Sequence, residues 1–421
     1  MTAGAPRPRG RIFYGYWLVA FAFLCMLIYS GCGPFVFSMF VKPLGSSFGW
    51  GRGQVMAGFT IFYLMMGVAS PFVGRAVDRY GVRPVIPIGA LVMGVGFVIA
   101  SRMSDLYVFY LACVLNGTGA AIMGHVPASA MISNWFERRR GIAVGVMASG
   151  LGAGGVVMAP IAAYIIENHG WRDAYFAMAI IIWATIIPLG LLLVRTRPSE
   201  MGLYPDGDSA PANVAPEKAP RVAASGLTLR QAMVMAAFWL MGISYGFSAF
   251  SAVGTLQTVV PFLDDTGYPM AIAAAALGAI GAGSAVGKVF FGWLCDRVQP
   301  RFVFVIGLCF QLGGVLVLLN VHSNSPEAVI WTSALLLGLG NGSWLPTMSL
   351  LVSTGFGLAS YGAVFGAITL LQSTGLAIGP LFAGMMYDAT GTYYVALAIF
   401  AGLYAISIPA ILLVRRPKSL G

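Results

Sequence analysis

The sequence predicts an all-α membrane protein, with twelve transmembrane helices arranged as two pseudo-symmetric six-helix bundles. Three observations carry that reading. Hydrophobic residues make up 58% of the 421 and charged residues only 9%, with a mean hydropathy of +0.84. Soluble domains carry about 25% charged residues, so this chain has too little charge to cover a surface in water. Most of its apolar runs are about 20 residues long, enough to cross a hydrocarbon core of roughly 30 Å. Lastly, one long polar stretch, Arg195 to Arg230, divides those runs six and six.

In chain order the spans are expected at 13–41, 53–74, 84–101, 105–130, 141–166, 173–194, 233–260, 271–293, 302–320, 327–350, 360–386 and 391–413. Helix is the only assignment open to them, because an isolated strand cannot satisfy its backbone in lipid. The resulting organisation is a tail (1–12), a first bundle (13–194), a linker (195–232), a second bundle (233–413) and a closing tail (414–421). No cleaved targeting segment is expected, since the first apolar span runs on to about Val41.

The formal charge of +10 does not point to nucleic acid, because the basic residues sit in short clusters between apolar runs. With the start of the chain inside, 19 of the 24 lysines and arginines fall on one side. They include Arg75, Arg79 and Arg83, Arg138 to Arg140, Arg195, Arg197, Arg230, Arg297 and Arg301. Lys42, Arg52, Arg102 and Arg172 fall opposite, and Lys288 lies within a span. That bias places both termini in the cytoplasm. The five cysteines lie in or beside apolar spans without CxxC or Cys/His spacing, so neither a metal site nor a disulfide framework is expected.

The two halves repeat. "GRAVDRYGVR" (Gly74 to Arg83) returns as "GWLCDRVQPR" (Gly292 to Arg301), with Gly, Asp, Arg and the final Arg all displaced by 218 positions. A second pair of related stretches ends at Pro160 and Pro380, an offset of 220. Two repeats in the same order indicate two bundles facing each other across a central cavity. In each loop a glycine permits close helix approach. Asp78 and Arg79, and their counterparts Asp296 and Arg297, can pair with each other or with a neighbouring helix end. The functional reading is a gating latch made of Gly74, Asp78, Arg79, Arg83, Gly292, Asp296, Arg297 and Arg301; the bland one is a solvated loop that sets topology. The many glycines of the fifth and eleventh spans are read as packing residues that let helices meet.

Lys288 is the most informative single residue. It lies eight positions before Asp296, about 12 Å inward by helical rise. A lysine at a helix centre costs about 2.5–3.5 kcal/mol on insertion scales, so it faces a cavity or a partner. Gly281, Ser284 and Lys288 share one helical face, and no Asp or Glu lies centrally in any span. The reading is a site for a carboxylate or similar anion; the competing one is a lysine that snorkels to the nearby surface. Asn116, Asn341, Gln257 and Gln372 either bind substrate or bond across helices. Tyr29, Tyr245, Trp344, Phe35 and Phe247 either wall a cavity or pack. His125 either carries a proton or is a satisfied structural histidine. No catalytic constellation, metal site or cofactor motif is present in the sequence, which argues against a membrane enzyme; a non-transporting substrate sensor is not distinguished by sequence.

The whole chain except residues 205–225 resembles a major facilitator superfamily transporter, on the "GRAVDRYGVRP" loop. Within that superfamily "FYGYWLVAFAF", "VKPLGSSFGWGRG", "NWFERRRGIAVGVMASG", "GWRDAY" and "RPSEMGLYPDG" resemble the monocarboxylate carriers and the neighbouring oxalate/formate antiporters. The resemblance implies the major facilitator fold and a bacterial inner-membrane location. It also implies a monomer that carries a small organic anion by alternating access, with proton symport or anion exchange as the coupling. Another organic anion, or export of a drug or metabolite, is the alternative. In that family a cation four residues before the second loop glycine, usually arginine, binds the substrate carboxylate; the matching residue is Lys288, which keeps the charge but not the bidentate fork. The first-helix lysine and eighth-helix aspartate of animal carriers correspond to Phe35 and Ser284. The second basic residue of oxalate carriers has no counterpart between Tyr361 and Tyr387. A lone cation fits a monocarboxylate better than a dianion.

Overall fold

The computed structural model describes residues 13–207, 226–323 and 325–414. The expected tails and much of the expected linker, with Arg7, Arg9, Arg11, Lys218, Arg221, Arg415, Arg416 and Lys418, lie outside the described residues. Among the described residues twelve helices are long and apolar enough to span a membrane: α1 (Tyr14–Val41), α2 (Gly53–Tyr80), α3 (Val82–Ser101), α4 (Leu106–Trp135), α5 (Arg140–His169), α6 (Trp171–Leu193), α7 (Ala236–Asp265), α8 (Ala275–Cys295), α9 (Pro300–Leu318), α10 (Glu327–Phe356), α11 (Tyr361–Thr390) and α12 (Tyr394–Leu412). Among the described residues there is no strand, only an isolated bridge between Gly226 and Gly357.

Several helices outrun the expected spans. The expected limits mark where the sequence stops being apolar, whereas the helices continue into the polar interface, where their charged ends are solvated. Two connections are a single residue long. Gly81 (φ 80°) joins α2 to α3, and Gly170 (φ 89°) joins α5 to α6; a side chain is disfavoured at such angles. A short helix, Leu229–Val234, precedes α7 inside what the sequence reads as linker. Thr228 caps it, its Oγ1 accepting the Gln231 N–H at 3.4 Å while Gln231 accepts the Thr228 N–H at 2.9 Å.

Packing follows the sequence repeat. In the first bundle α1 packs on α5, α2 and α3 on α4, and α3 on α6. The second repeats these pairs six helices later: α7 on α11, α8 and α9 on α10, and α9 on α12. The bundles meet along α2/α11 and α5/α8, two contacts exchanged by the same pseudo-two-fold. Stacked aromatics sit inside each bundle, Phe40 on Tyr175 at 3.9 Å and Tyr245 on Phe304 at 4.3 Å. The outer helices expose Ile88, Leu91, Ile180, Leu192, Ile306 and Ile406. An exposed apolar face is what a helix presents to acyl chains.

Three spans are interrupted. In α1 the residues Gly31–Phe35, with Pro34 among them, form a π-helical turn. The α4 span breaks at Gly124 and restarts at His125. The α10 span breaks at Gly342 and restarts at Trp344. Gly124 and Gly342 are 218 positions apart, the offset of the loop repeat. Each restarted segment has proline third, Pro127 and Pro346, where the missing N–H leaves the preceding turn unbonded. Interrupted helices at this depth are where transporter sites form.

Candidate functional site

The bundles touch closely at one end, the face where α1 begins and α12 ends (here the terminal face). Glycine sets the separation. A Cβ on Gly74 would collide with the backbone of Gly362, and one on Gly292 would lie 2.5 Å from the carbonyl oxygen of Gly141. Further along the same helices contact is lost. Gly278 and Gly281 on α8, and Gly384 on α11, have nothing within 4 Å of a built Cβ. The structure is therefore closed at the terminal face, and its inter-bundle contacts thin out toward the opposite one.

Each close contact is bridged by an aspartate. Asp78, at the end of α2, accepts the N–H groups of Gly362 and Ala363, both at 2.9 Å. Asp296, just past α8, accepts those of Gly141 at 2.6 Å and Ile142 at 2.9 Å. These are the first-turn amides of α11 and α5, which have no partner in their own helix and carry the positive end of its dipole. Of the two partners open to the loop motif in sequence, both aspartates thus take the neighbouring helix end rather than an arginine. Burial pushes the Asp296 carboxyl up, opposed by the two backbone N–H groups and by Arg297.

The arginines serve elsewhere. Arg79 lies 5.3 Å from the Tyr80 ring and Arg297 4.1 Å from the Trp293 ring. Arg83 donates to the Leu191 carbonyl at the end of α6 at 3.2 Å. Arg301 donates to the Val414 carbonyl past α12 at 3.4 Å. The repeat in sequence is thus a repeat of bonds.

Asp78→Asn and Asp296→Asn keep one acceptor and lose the charge, so each is expected to weaken closure by about 1–3 kcal/mol. Hydrogen exchange should quicken at Gly362 and Ala363 in the first variant and at Gly141 and Ile142 in the second. Unchanged exchange in both would show that the carboxylates do not hold this face shut.

Lys288 is 8% exposed, and its Nζ donates to Ser284 Oγ at 2.7 Å. Ser284 is one turn toward the middle of α8, so the side chain turns away from the nearer terminal face. It makes no ion pair among the described residues. Its own backbone is pressed from two sides. A Cβ on Gly145 of α5 would collide with the Lys288 carbonyl, and one on Gly342 with its amide nitrogen. The break in α10, between Asn341 and Trp344, therefore lies against the Lys288 backbone. Among the described residues the half-buried Asn341 makes no side-chain hydrogen bond, and the buried Nε1 of Trp344 has no acceptor.

A second group spans α4 and α11. His125, the first residue after the α4 break, has Nε2 3.5 Å from Thr369 Oγ1 and its ring 6.0 Å from Phe365. Gln372, one turn beyond Thr369, is buried and makes no hydrogen bond among the described residues. The remaining candidates lie apart. Tyr29 donates to Met66 Sδ at 3.3 Å, joining α1 to α2. Tyr245 is fully buried within the second bundle, its hydroxyl 2.8 Å from Thr347 Oγ1. Gln257 is exposed on α7. Asn116 faces a cavity of about 30 Å³ inside the first bundle, among Phe37, Phe59, Phe97 and Tyr175, and its Oδ1 has no donor among the described residues. That is room for a water or two.

Sequence reasoning missed a hydroxyl cluster below His125. Ser129 and Ser133 follow it at intervals of four on α4, the spacing that puts residues on one helical face. Ser133 Oγ lies 3.4 Å from Ser349 Oγ on α10, and Ser349 lies 2.8 Å from the Tyr361 hydroxyl on α11. Arg140 closes the cluster by donating to the carbonyls of Ser133 and Phe136, both at 3.0 Å. The His-Ser-Ser spacing was the signal available in the sequence. Asp206 was also missed. It accepts the N–H groups of Glu137 at 3.0 Å and Arg138 at 2.7 Å, with a carboxylate oxygen 3.9 Å from Arg138 Nε.

The profile of the Major Facilitator Superfamily matches residues 18–380. The chain belongs to that superfamily. It is accordingly a transporter and not an enzyme. Among relatives of this major facilitator protein, human "Monocarboxylate transporter 11" is 30% identical over 334 residues, covering 77% of this chain and 67% of that protein. An "Uncharacterized MFS-type transporter YcxA" of Bacillus subtilis (strain 168) is 24% identical over 392 residues, covering 88% of each. The solved proton:xylose symporter XylE, bound to 6-bromo-6-deoxy-D-glucose, superposes with a TM-score of 0.73 at 14% identity over 96% of both chains. At that identity the superposition shows the major facilitator fold alone.

Proposed function

We propose that this protein is a secondary transporter of a small monocarboxylate, such as lactate, pyruvate or formate, working by alternating access. The observation that carries the reading is Lys288, a buried ammonium with one neutral hydroxyl partner and no carboxylate among the described residues. Burying a charge without a counter-charge is costly, and an anionic ligand removes that cost while it is bound. The relatives called monocarboxylate transporters support the same class of cargo.

In this reading the terminal face is cytoplasmic and the membrane is a bacterial inner membrane, consistent with the side on which 19 of 24 basic residues fall. The anion enters from the opposite face and its carboxylate engages Lys288 Nζ. Asn341, Trp344 and Gln372 orient the rest of the molecule, while Asn116, Gln257, Tyr29 and Tyr245 support the helices around it. The bundles at 13–194 and 233–413 then rock about the loaded site. The carboxylate–amide bonds at Asp78 and Asp296 release, and the terminal face opens. His125, set between the bundles beside Thr369, is the proton-coupling residue where coupling is to protons. Each chain is its own transport unit.

The test is uptake of labelled lactate into proteoliposomes, with unlabelled pyruvate, formate, acetate and oxalate as competitors. Saturable uptake inhibited by the monocarboxylates more than by oxalate is expected. Stimulation by an inward proton gradient assigns symport, and stimulation by internal anion assigns exchange. If lactate and every competitor fail while the protein remains folded, the monocarboxylate reading falls and another cargo takes its place.

A further inference from the structure

At the α2/α11 corner of the terminal face a broad cavity of about 760 Å³ opens beside the Asp78 latch. Its charged walls come from both bundles: Arg75 and Arg79 from α2, and Arg230 from the short helix ahead of α7, with Ser360 as a neutral donor. None of the three guanidinium groups has a hydrogen bond or ion pair among the described residues. Arg75 and Arg79 only face the rings of Phe72 and Tyr80, at 5.9 and 5.3 Å. The single carboxylate in the cavity, Asp78, has both oxygens bonded to α11 amides. Three cations therefore converge on one open space whose only carboxylate is already engaged.

The pseudo-equivalent corner differs. Beside the Asp296 latch, Asp206 supplies a carboxylate to Arg138 and to the loop before α5. The α2/α11 corner has no such carboxylate among the described residues. Its rim is also apolar, with Val234 84% exposed beside Leu229 and Met233. Trp239 fixes that rim by donating to the Met233 carbonyl at 2.9 Å. Arginine-lined space at the edge of an apolar belt fits a phosphate group attached to acyl chains, since guanidinium binds phosphate through paired N–H groups and basic residues at a membrane surface attract anionic lipid.

We propose that this cavity binds a phosphate-type anion, the headgroup of an anionic phospholipid, and that its occupation favours the state closed at the terminal face. Arg230 moves with the second bundle, and Arg75 and Arg79 with the first, so the three converge only while that face is closed. A ligand that binds one state in preference shifts the equilibrium toward it. The inference goes beyond the transported cargo and does not depend on which acid is carried.

The full-length protein is placed in phosphatidylcholine nanodiscs with or without phosphatidylglycerol. Retained phosphatidylglycerol is read by native mass spectrometry, and hydrogen exchange is followed at Gly362 and Ala363. Wild type should retain the anionic lipid, with exchange slowed severalfold. Arg75→Gln/Arg230→Gln should lose both effects, while Arg230→Lys, which keeps the charge, should retain them. Inorganic phosphate added to phosphatidylcholine discs separates the sources: slowing by phosphate alone keeps the anion site and assigns it to a soluble ligand. Equal retention in wild type and the double glutamine variant overturns the proposal, as does exchange that neither anion changes. Binding that appears only in an Asp208→Asn/Glu217→Gln variant also overturns it, because the chain's own carboxylates then fill the cavity.

Discussion

Lys288→Ala is expected to abolish saturable uptake of the anion, and Lys288→Arg to retain part of it. Alanine removes the only cation within the central part of any span. Truncating one partner of a buried charge pair costs about 2–5 kcal/mol, and 2 kcal/mol is already about thirtyfold in affinity. The variant should fold, because it removes an unpaired buried charge and leaves the close backbone contacts of Lys288 with Gly145 and Gly342 in place. Arginine keeps the charge but must fit a larger planar group where lysine now reaches Ser284, so a changed order of preference among acids is expected with it. The check is initial uptake against concentration for the three proteins at matched reconstitution. Wild-type uptake by the alanine variant would exclude Lys288 from the site.

The second large effect is expected at Gly74. A Cβ there meets the backbone of Gly362 and lies 2.7 Å from the Ala363 nitrogen, so neither neighbour can rotate away. Gly74→Val must push α11 off α2 and strip the Asp78 carboxylate from its two amides. Overpacking of this kind costs about 1–3 kcal/mol, a shift of about five- to 150-fold in the balance between closed and open states. Exchange at Gly362 and Ala363 should rise accordingly, and transport should fall because one half of the cycle is disfavoured. Gly384→Val, at a position with nothing within 4 Å of a built Cβ, is the control and should behave as wild type. Equal effects of the two would mean that close approach at the terminal face is not what Gly74 provides.

The fold was readable because its determinants are local and additive. Span length and the 218-residue repeat are each read from short stretches of sequence, and the twelve-helix fold they imply is the one observed. The interruptions at Gly124 and Gly342 were legible in principle, since each is a glycine followed within four residues by proline, but within an apolar run they read as ordinary packing residues. A helix end was one of the two partners open to Asp78 in the sequence, but which helix end it takes was not legible. Its partners are backbone amides 284 and 285 positions away, and a backbone amide has no sequence signature. Rotational phase was lost for a related reason. A span buried in protein on one side and in lipid on the other is apolar all round, so nothing in the sequence indicates that Asn116 faces the interior of its own bundle. Lys288 escaped that ambiguity because a charge in lipid has few places to go.

The most direct measurement of the central claim is counterflow of labelled lactate into proteoliposomes preloaded with unlabelled lactate. It requires no knowledge of the coupling ion, since exchange of label needs only a carrier that binds the anion and alternates. A transient accumulation of label above equilibrium in wild type, absent in Lys288→Ala, is the predicted result. No accumulation with lactate, pyruvate, formate or acetate, from protein shown to be folded, would contradict the account.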